Sequence, residues 1–203
     1  MLFRSILANL EALQSLGSVL KSVQQTGTPQ TLALNATQVK RNVDALAKIS
    51  GFTVAVSDAG SNIANSLEAL QKLGPKVSSI NQSDTIKVSA LQARQYQNSL
   101  CTWQVRWEVV DTVENINRNL DALQWGVDLG LSSISVSGSR TSLGLTSAQM
   151  VQYADALAKI SSDYRLTVSD VSIDKVAEMA ANPKVVAIGI ADSAANKIGR
   201  AHV

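Results

Sequence analysis

The sequence predicts an α/β protein in which strand–helix segments repeat along a parallel sheet. The heptapeptide Asp44–Ser50 returns letter for letter as Asp155–Ser161, 111 residues later. Each copy precedes a run of alternating apolar residues that ends in Ser-Asp, at 52–58 and at 164–170. A second phrase, Leu-Glu-Ala-Leu-Gln, starts at Leu10 and again 57 residues later. Repeats of this size indicate stacked supersecondary segments, with two strand–helix segments in each period of about 55 residues.

Two types of amphipathic helix are predicted. The first type contains the Leu-Glu-Ala-Leu-Gln phrase, places apolar side chains on one face and ends near a glycine. The second type begins with a capping-box pattern, in which the cap side chain and a glutamine three residues later serve each other's backbone N–H groups. The capping pairs are Asn35 with Gln38, Ser89 with Gln92 and Thr146 with Gln149, and the glycines are Gly17, Gly74 and Gly130.

About seven strands are predicted between these helices. Apolar residues alternate along them, as in Phe52, Val54 and Val56, which indicates strands with one buried face. Their ends fall near Gly27, Asp58, Asp84, Asp111, Gly138, Asp170 and Asp192. Strands that alternate with helices imply a parallel sheet with right-handed crossovers.

Two ways of arranging such segments remain. One is an open right-handed repeat solenoid, similar to the leucine-rich-repeat horseshoe, with about seven parallel strands on one face and helices on the other. The alternative is an incomplete (β/α)₈-like barrel, which usually needs eight segments and about 250 residues. The short segments and their recurrence favour the solenoid. Residues 92–112 and 172–182 depart from the repeat, but neither stretch has the character of a domain linker.

The last seven residues, 197–203, resemble a cloning or sequencing artefact. Ile198 to Val203 is similar to one translated reading frame of a common sequencing adapter. The repeat array is therefore predicted to occupy residues 1–196 as a fragment of a longer chain. Without Lys197 and Arg200 the 18 basic residues become 16 and balance the 16 acidic ones, and the one histidine, His202, is lost. No basic surface for nucleic acid is expected.

The most suggestive candidate site is a row of aspartates at the strand ends. In a parallel array they would line one rim, where carboxylates are suitable Ca²⁺ ligands, together with Asn62, Asn115 and Asn196. The simpler interpretation is that each aspartate caps the helix that follows it. The row consists of Asp58, Asp84, Asp111, Asp170 and Asp192. No metal site is assigned on the sequence, and calcium remains the alternative.

No catalytic or cofactor-binding residue is predicted. Cys101 has no native histidine to activate it, and the serines Ser135, Ser137 and Ser139 lack a base for the same reason. The pair Glu108 and Asp111 carries no mark of acid–base chemistry, and no phosphate-binding glycine motif occurs. Trp103, Trp107 and Trp125 are expected to pack between segments, with an aromatic binding patch as the alternative. No apolar run is long enough to span a membrane.

These phrases resemble repeats of very large bacterial proteins. The likeness rests on Ser57-Asp58 followed by Asn62-Ile63, on Leu145-Thr146 followed by Gln149, and on the two repeated phrases above. It covers almost the whole chain, from about Ile6 to Asn196, and weakens at residues 92–112. Such repeats often accompany haemolysin-type calcium-binding repeats in proteins that are secreted or attached to the cell surface. The resemblance implies an extracellular or cell-surface location, with neighbouring repeats of the same chain as the main partners.

Three functions follow as expectations. The first is a non-enzymatic segment for spacing, scaffolding or adhesion to an unknown protein or surface ligand. The second is a calcium-binding module ordered by the aspartate row, and the third is a fragment of an enzyme whose active site lies elsewhere. Because no polar capping repeat is visible, apolar faces are expected at both ends, and the isolated chain is expected to self-associate.

Overall fold

The computed structural model describes residues 6–25, 27–138 and 142–191 as a mixed α/β fold. The helices are α1 (Leu10–Ser15), α2 (Ala36–Lys48), α3 (Gly60–Ala64), α4 (Leu67–Leu73), α5 (Ala90–Thr102), α6 (Val113–Arg118), α7 (Leu120–Gly126), α8 (Ser147–Gln152), α9 (Ala154–Ala158) and α10 (Val176–Ala180). The strands are β1 (Val23–Gln24), β2 (Gln30–Leu34), β3 (Ile49–Ser50), β4 (Phe52–Asp58), β5 (Val77–Gln82), β6 (Ile86–Val88), β7 (Trp107–Thr112), β8 (Leu131–Ser137), β9 (Ser142–Thr146), β10 (Arg165–Val171) and β11 (Val185–Ile190).

The described strands form four small sheets and no closed barrel. Their orders are β1-β3, β2-β4-β5, β6-β7-β8 and β11-β10-β9, and every pairing with a determined register is parallel. The single sheet of about seven strands is therefore not confirmed. One physical reason is that a glycine breaks the extended backbone just before the predicted strand β4. Gly51, at φ 76°, separates β3 from β4, and a Cβ there would lie 3.0 Å from the backbone oxygen of Gln25.

The chain divides into two compact units. The first contains the chain up to Val88 together with Gln95–Trp107. Its sheet β2-β4-β5 sets Leu32 opposite Val54 and Leu34 opposite Val56, and all four side chains are buried. Helix α2 packs between α1 and α4. The apolar, alternating residues of the strands thus meet the apolar faces of the helices, as the sequence pattern requires.

The second unit contains Ser89–Arg94 and the chain from Glu108 onward. Its sheet sets Leu143 opposite Leu166 and Leu145 opposite Val168, and these side chains are also buried. The single array over residues 1–196 stays a prediction, and the predicted artefact tail at 197–203 lies outside the described residues.

Most of the helical stretches are bent by one residue with non-helical dihedral angles. Asn42 interrupts α2 at φ −117° and ψ 16°, and Asn119 separates α6 from α7 at φ −121° and ψ 13°. Both asparagines donate through Nδ2 to the carbonyl oxygen four residues earlier, at 2.9 Å and 2.7 Å. The side chain replaces a helical backbone hydrogen bond, which bends the helix. The bend changes which residues face the core, so Val43, which lies at helical spacing between the buried Val39 and Leu46, is only half-buried.

Local helix signals are confirmed. All three predicted capping boxes form, with both hydrogen bonds of each pair between 2.7 and 3.1 Å. Gly17, Gly74 and Gly130 have φ values of 51°, 52° and 96°, as expected of residues that let the chain leave a helix.

Candidate functional site at the strand ends

Asp58 connects its own strand end to the helix that precedes it in the chain. Its Oδ2 accepts a hydrogen bond from the backbone N–H of Ala36, the first residue of α2, at 3.0 Å. Its Oδ1 accepts from the N–H of Ala59 at 2.8 Å and from Nδ2 of Asn62 at 2.7 Å. Because the first N–H groups of a helix have no helical acceptor, a carboxylate at this position satisfies one of them and favours the helix dipole.

Asp111 repeats this arrangement in the second unit. Its Oδ2 accepts from the N–H of Ala90, the first residue of α5, at 2.9 Å. Its Oδ1 accepts from the N–H of Thr112 and from Nδ2 of Asn115, both at 2.8 Å. We call this arrangement a strand-end clamp: an aspartate at the end of one strand that accepts from the first N–H of the preceding helical stretch.

Asp84 makes a simpler clamp, and Asp170 departs from the pattern. Asp84 Oδ1 accepts from the N–H of Gly60, the first residue of α3, at 2.8 Å. Asp170 has a left-handed backbone, with φ 56°, and its backbone oxygen accepts from Oγ of Ser147 at 2.8 Å. The fifth predicted aspartate, Asp192, lies outside the described residues.

The observed clamps differ from the helix capping that the sequence predicts. The sequence suggested that each aspartate caps the helix after it, but the caps of those helices are other residues, such as Thr112, which accepts from the N–H of Asn115 at 3.3 Å. Asp58, Asp84 and Asp111 instead accept from helices that precede them. The reason is the parallel register, which sets the end of one strand beside the start of the neighbouring helix.

The hydrogen bonds stabilise the ionised carboxylates. The side-chain amide of Asn62, with the N–H groups of Ala59 and Ala36, holds the pKa of Asp58 below its ordinary value despite partial burial. The N–H of Gly60, with the hydroxyl of Ser83, likewise lowers the pKa of Asp84. Donation to the charged form is the common cause.

The oxygens that calcium would need already have donors in two of these clamps. In Asp58 and Asp111 both carboxylate oxygens accept N–H hydrogen bonds, and Asn62 and Asn115 present amide nitrogen, not oxygen, to them. Within the described ranges, no three His, Cys, Asp or Glu side chains are grouped closely enough to hold a metal ion. The calcium hypothesis stays a prediction.

Two glutamines form a second kind of clamp that sequence reasoning missed. Gln14 donates through Nε2 to Oδ2 of Asp44 at 3.3 Å and accepts at Oε1 from the N–H of Ala45 at 2.9 Å. Gln124 makes the same pair of contacts with Asp155 and Ala156, at 3.0 Å and 2.9 Å. Both donating N–H groups come three residues after a helix bend, at Asn42 and at Tyr153. The signal was present in the sequence: Gln14 ends the phrase Leu-Glu-Ala-Leu-Gln, Gln124 ends its variant Leu-Asp-Ala-Leu-Gln, and each aspartate begins a copy of the repeated heptapeptide.

Lysines stabilise helix C-termini in the first unit. Lys76 Nζ donates to the backbone oxygens of Leu46, Ala47 and Ile49 at 3.0, 2.7 and 2.6 Å, at the end of α2. Burial lowers the pKa of Lys76. Lys48 Nζ donates to the oxygen of Gly17 at 2.6 Å, just beyond α1. A cation at a helix C-terminus pairs with the unsatisfied carbonyl groups and with the dipole.

The remaining candidates are not brought together into a reactive group. Trp107 is 1% exposed, as the packing interpretation predicts, Trp103 is half-buried and Trp125 is 44% exposed. Cys101 is half-buried. The hydroxyl of Ser135 lies 3.3 Å from that of Ser161, a contact between two hydroxyl groups. Ser139 lies outside the described residues.

One groove in the first unit is lined mainly by polar residues. It encloses about 470 Å³ at the turn between β5 and β6 and is lined by Ile80, Asn81, Gln82, Ser83, Asp84, Thr85, Gln104 and Arg106. The Gln82 amide is already engaged, because it donates to the backbone oxygen of Arg106 at 2.8 Å and accepts from its N–H at 2.9 Å. This amide therefore joins two chain segments within the unit.

No protein-family model matches the chain, and no curated protein matches it. In the part of the chain that the structure describes, no helix is long and apolar enough to cross a membrane.

Proposed function

We propose that the chain is a non-enzymatic structural repeat segment of a large secreted or cell-surface bacterial protein, used for spacing, scaffolding or adhesion. The observation that supports this most is the strand-end clamp, because the polar side chains that most resembled a site are engaged in joining neighbouring chain segments. The glutamine and lysine contacts serve the same purpose. Side chains that form hydrogen bonds with the backbone N–H and C=O groups of another segment stabilise the packing of segments in an array.

An open right-handed solenoid is part of this proposal. Small-angle X-ray scattering on a dilute sample tests it, since a compact chain of this length has a radius of gyration of about 17 Å. We expect a clearly larger value with an elongated distance distribution. A value near that of a compact globule would contradict the solenoid.

The location is tested on the cells that produce the full-length protein. Antibodies raised against the folded chain should label intact cells or the culture medium as strongly as they label permeabilised cells. Labelling that requires permeabilisation would contradict a secreted or surface role, and a cytoplasmic marker provides the control for cell integrity.

A further inference from the structure

One repeated phrase has different surroundings in its first and second copies. Leu73, in α4, is 3% exposed, whereas its counterpart Leu16, just after α1, is 46% exposed. Helix α4 packs against α2, which comes earlier in the chain, whereas the contact of α1 with α2 is with a helix that comes later in the chain. Val19 is 76% exposed beside Leu16 in sequence. Leu7, just before α1, is 40% exposed, and we call Leu7, Leu16 and Val19 together the α1 face.

A second apolar surface lies at the last described strand. Strand β11 has the sequence Val-Val-Ala-Ile-Gly-Ile and pairs with β10 through one edge. Val186 and Ile190 are 48% and 57% exposed, and Ile173, just before α10, is 44% exposed. Helix α10 contains no buried residue. We call Ile173, Val186 and Ile190 the β11 face. An uncharged apolar edge strand is a ready template for another strand.

The two edges are complementary in direction. Within each sheet the chain adds strands in one sense, from β2 to β4 to β5 in the first unit and from β9 to β10 to β11 in the second. Among the described strands, β11 has no partner on the edge away from β10, and that edge corresponds to the edge of β2 that β4 occupies. Among the described strands, β2 has no partner on its other edge, which corresponds to the edge of β10 that β9, the preceding strand, occupies. A parallel pair of β11 with β2 would continue the pairing that both sheets already show.

We propose that the β11 face of one copy binds the α1 face of a second copy, with β11 and β2 paired in parallel. The inference rests on the proposed repeat-array function, because it extends an interface that exists inside the chain: the packing that buries Leu73 would bury Leu16. The two faces differ, so the contact is heterologous and each copy keeps one face for a further copy. Self-association therefore continues beyond a dimer.

Sedimentation velocity over a concentration series tests the proposal. We expect the purified chain to form dimers and larger species as its concentration rises. Val19→Glu and Val186→Glu each place a charge on one face at an exposed position, and each variant alone should associate at least tenfold more weakly. An equimolar mixture should form a one-to-one complex, because each variant still contributes one intact face. Val151→Glu is the matched control, since Val151 is 76% exposed, as Val19 is.

Several outcomes would overturn the proposal. A wild-type chain that stays monomeric at all concentrations rejects it, and this result does not depend on any variant. Unchanged association in either face variant, or equal weakening by the control, rejects the assigned faces. A mixture that stays monomeric rejects heterologous contact. If the chain is monomeric but displayed on cells, the second copy is rejected as the occupant and the structural function stands. If the chain assembles but is confined to the cytoplasm, the secreted or surface function is rejected and the contact between copies stands.

Discussion

Replacing Asp58 by alanine measures how much one strand-end clamp contributes to the free energy of unfolding. The change removes an acceptor for the N–H groups of Ala36 and Ala59 and for the amide of Asn62. Loss of a helix cap costs about 0.5–2 kcal/mol, and hydrogen bonds to a charged group are worth about 1.5–3 kcal/mol. Because Asp58 is only half-buried and water can replace part of the loss, we expect a fall of about 2 kcal/mol in the free energy of unfolding.

Urea denaturation followed by far-ultraviolet circular dichroism measures this fall in the free energy of unfolding. With a dependence on urea of about 2 kcal/mol per molar, the midpoint should fall by about 1 M. Asp128→Ala is the control, because Asp128 is exposed in the turn after α7, and surface changes of this kind stay within about 0.5 kcal/mol. Asp111→Ala should resemble Asp58→Ala, since the two clamps have the same geometry. If Asp58→Ala behaves like Asp128→Ala, the clamp does not stabilise the fold.

The difference in the free energy of unfolding between wild type and Asp58→Ala should depend on pH, which provides a second check. Donors around the carboxylate lower the pKa of Asp58 in the folded protein, so its contribution is present at pH values above the unfolded pKa of about 3.9. The contribution is lost as the pH falls through the lower folded value. The difference between wild type and Asp58→Ala should therefore be constant from pH 7 to pH 5 and shrink below about pH 4. A difference that grows on acidification would contradict the argument.

Three further changes give distinct results. Gly60→Ala should destabilise or prevent folding, because its Cβ would lie 2.5 Å from the backbone oxygen of Thr85, whereas Gly144→Ala, with its nearest contact at 3.5 Å, should be tolerated in the same urea assay. Gln124→Ala should lower the unfolding midpoint because it leaves the N–H of Ala156 without its acceptor. Thermal melts in calcium and then in chelator should show no difference if the aspartates act only as clamps, and a large calcium-dependent rise would establish the calcium module.

Local rules made much of the fold predictable. The three capping boxes depend on residues three positions apart, so sequence spacing determines them, and all three form. The six predicted strand ends other than Asp192 also lie within a few residues of described strands or turns. The short strands β2, β6 and β9 were missed, because strands of three to five residues before a cap carry little periodicity of their own.

Contacts between segments were not predictable in the same way. The clamp of Asp58 joins residues 22 positions apart, and that of Gln14 joins residues 31 apart. Such contacts depend on the parallel register and on the helix bend at Asn42, and neither is encoded in a short window. The row of aspartates was recognised, but which helix each one serves required the register.

Residues 92–112 depart most from the repeat, and they show that a polar contact between segments can persist where the repeated phrase is lost. Helix α5 contains no aspartate to pair with a glutamine, yet its Arg94 donates through Nε to Oδ1 of Asn119 at 2.6 Å and forms an ion pair with Asp121. The polar contacts at this bend thus come from an arginine on the earlier helix. Different side chains therefore meet the same requirement, which is to satisfy the backbone and side-chain groups that a bent helix leaves open. A sequence can lose the repeated phrase at this point and keep the contact between segments.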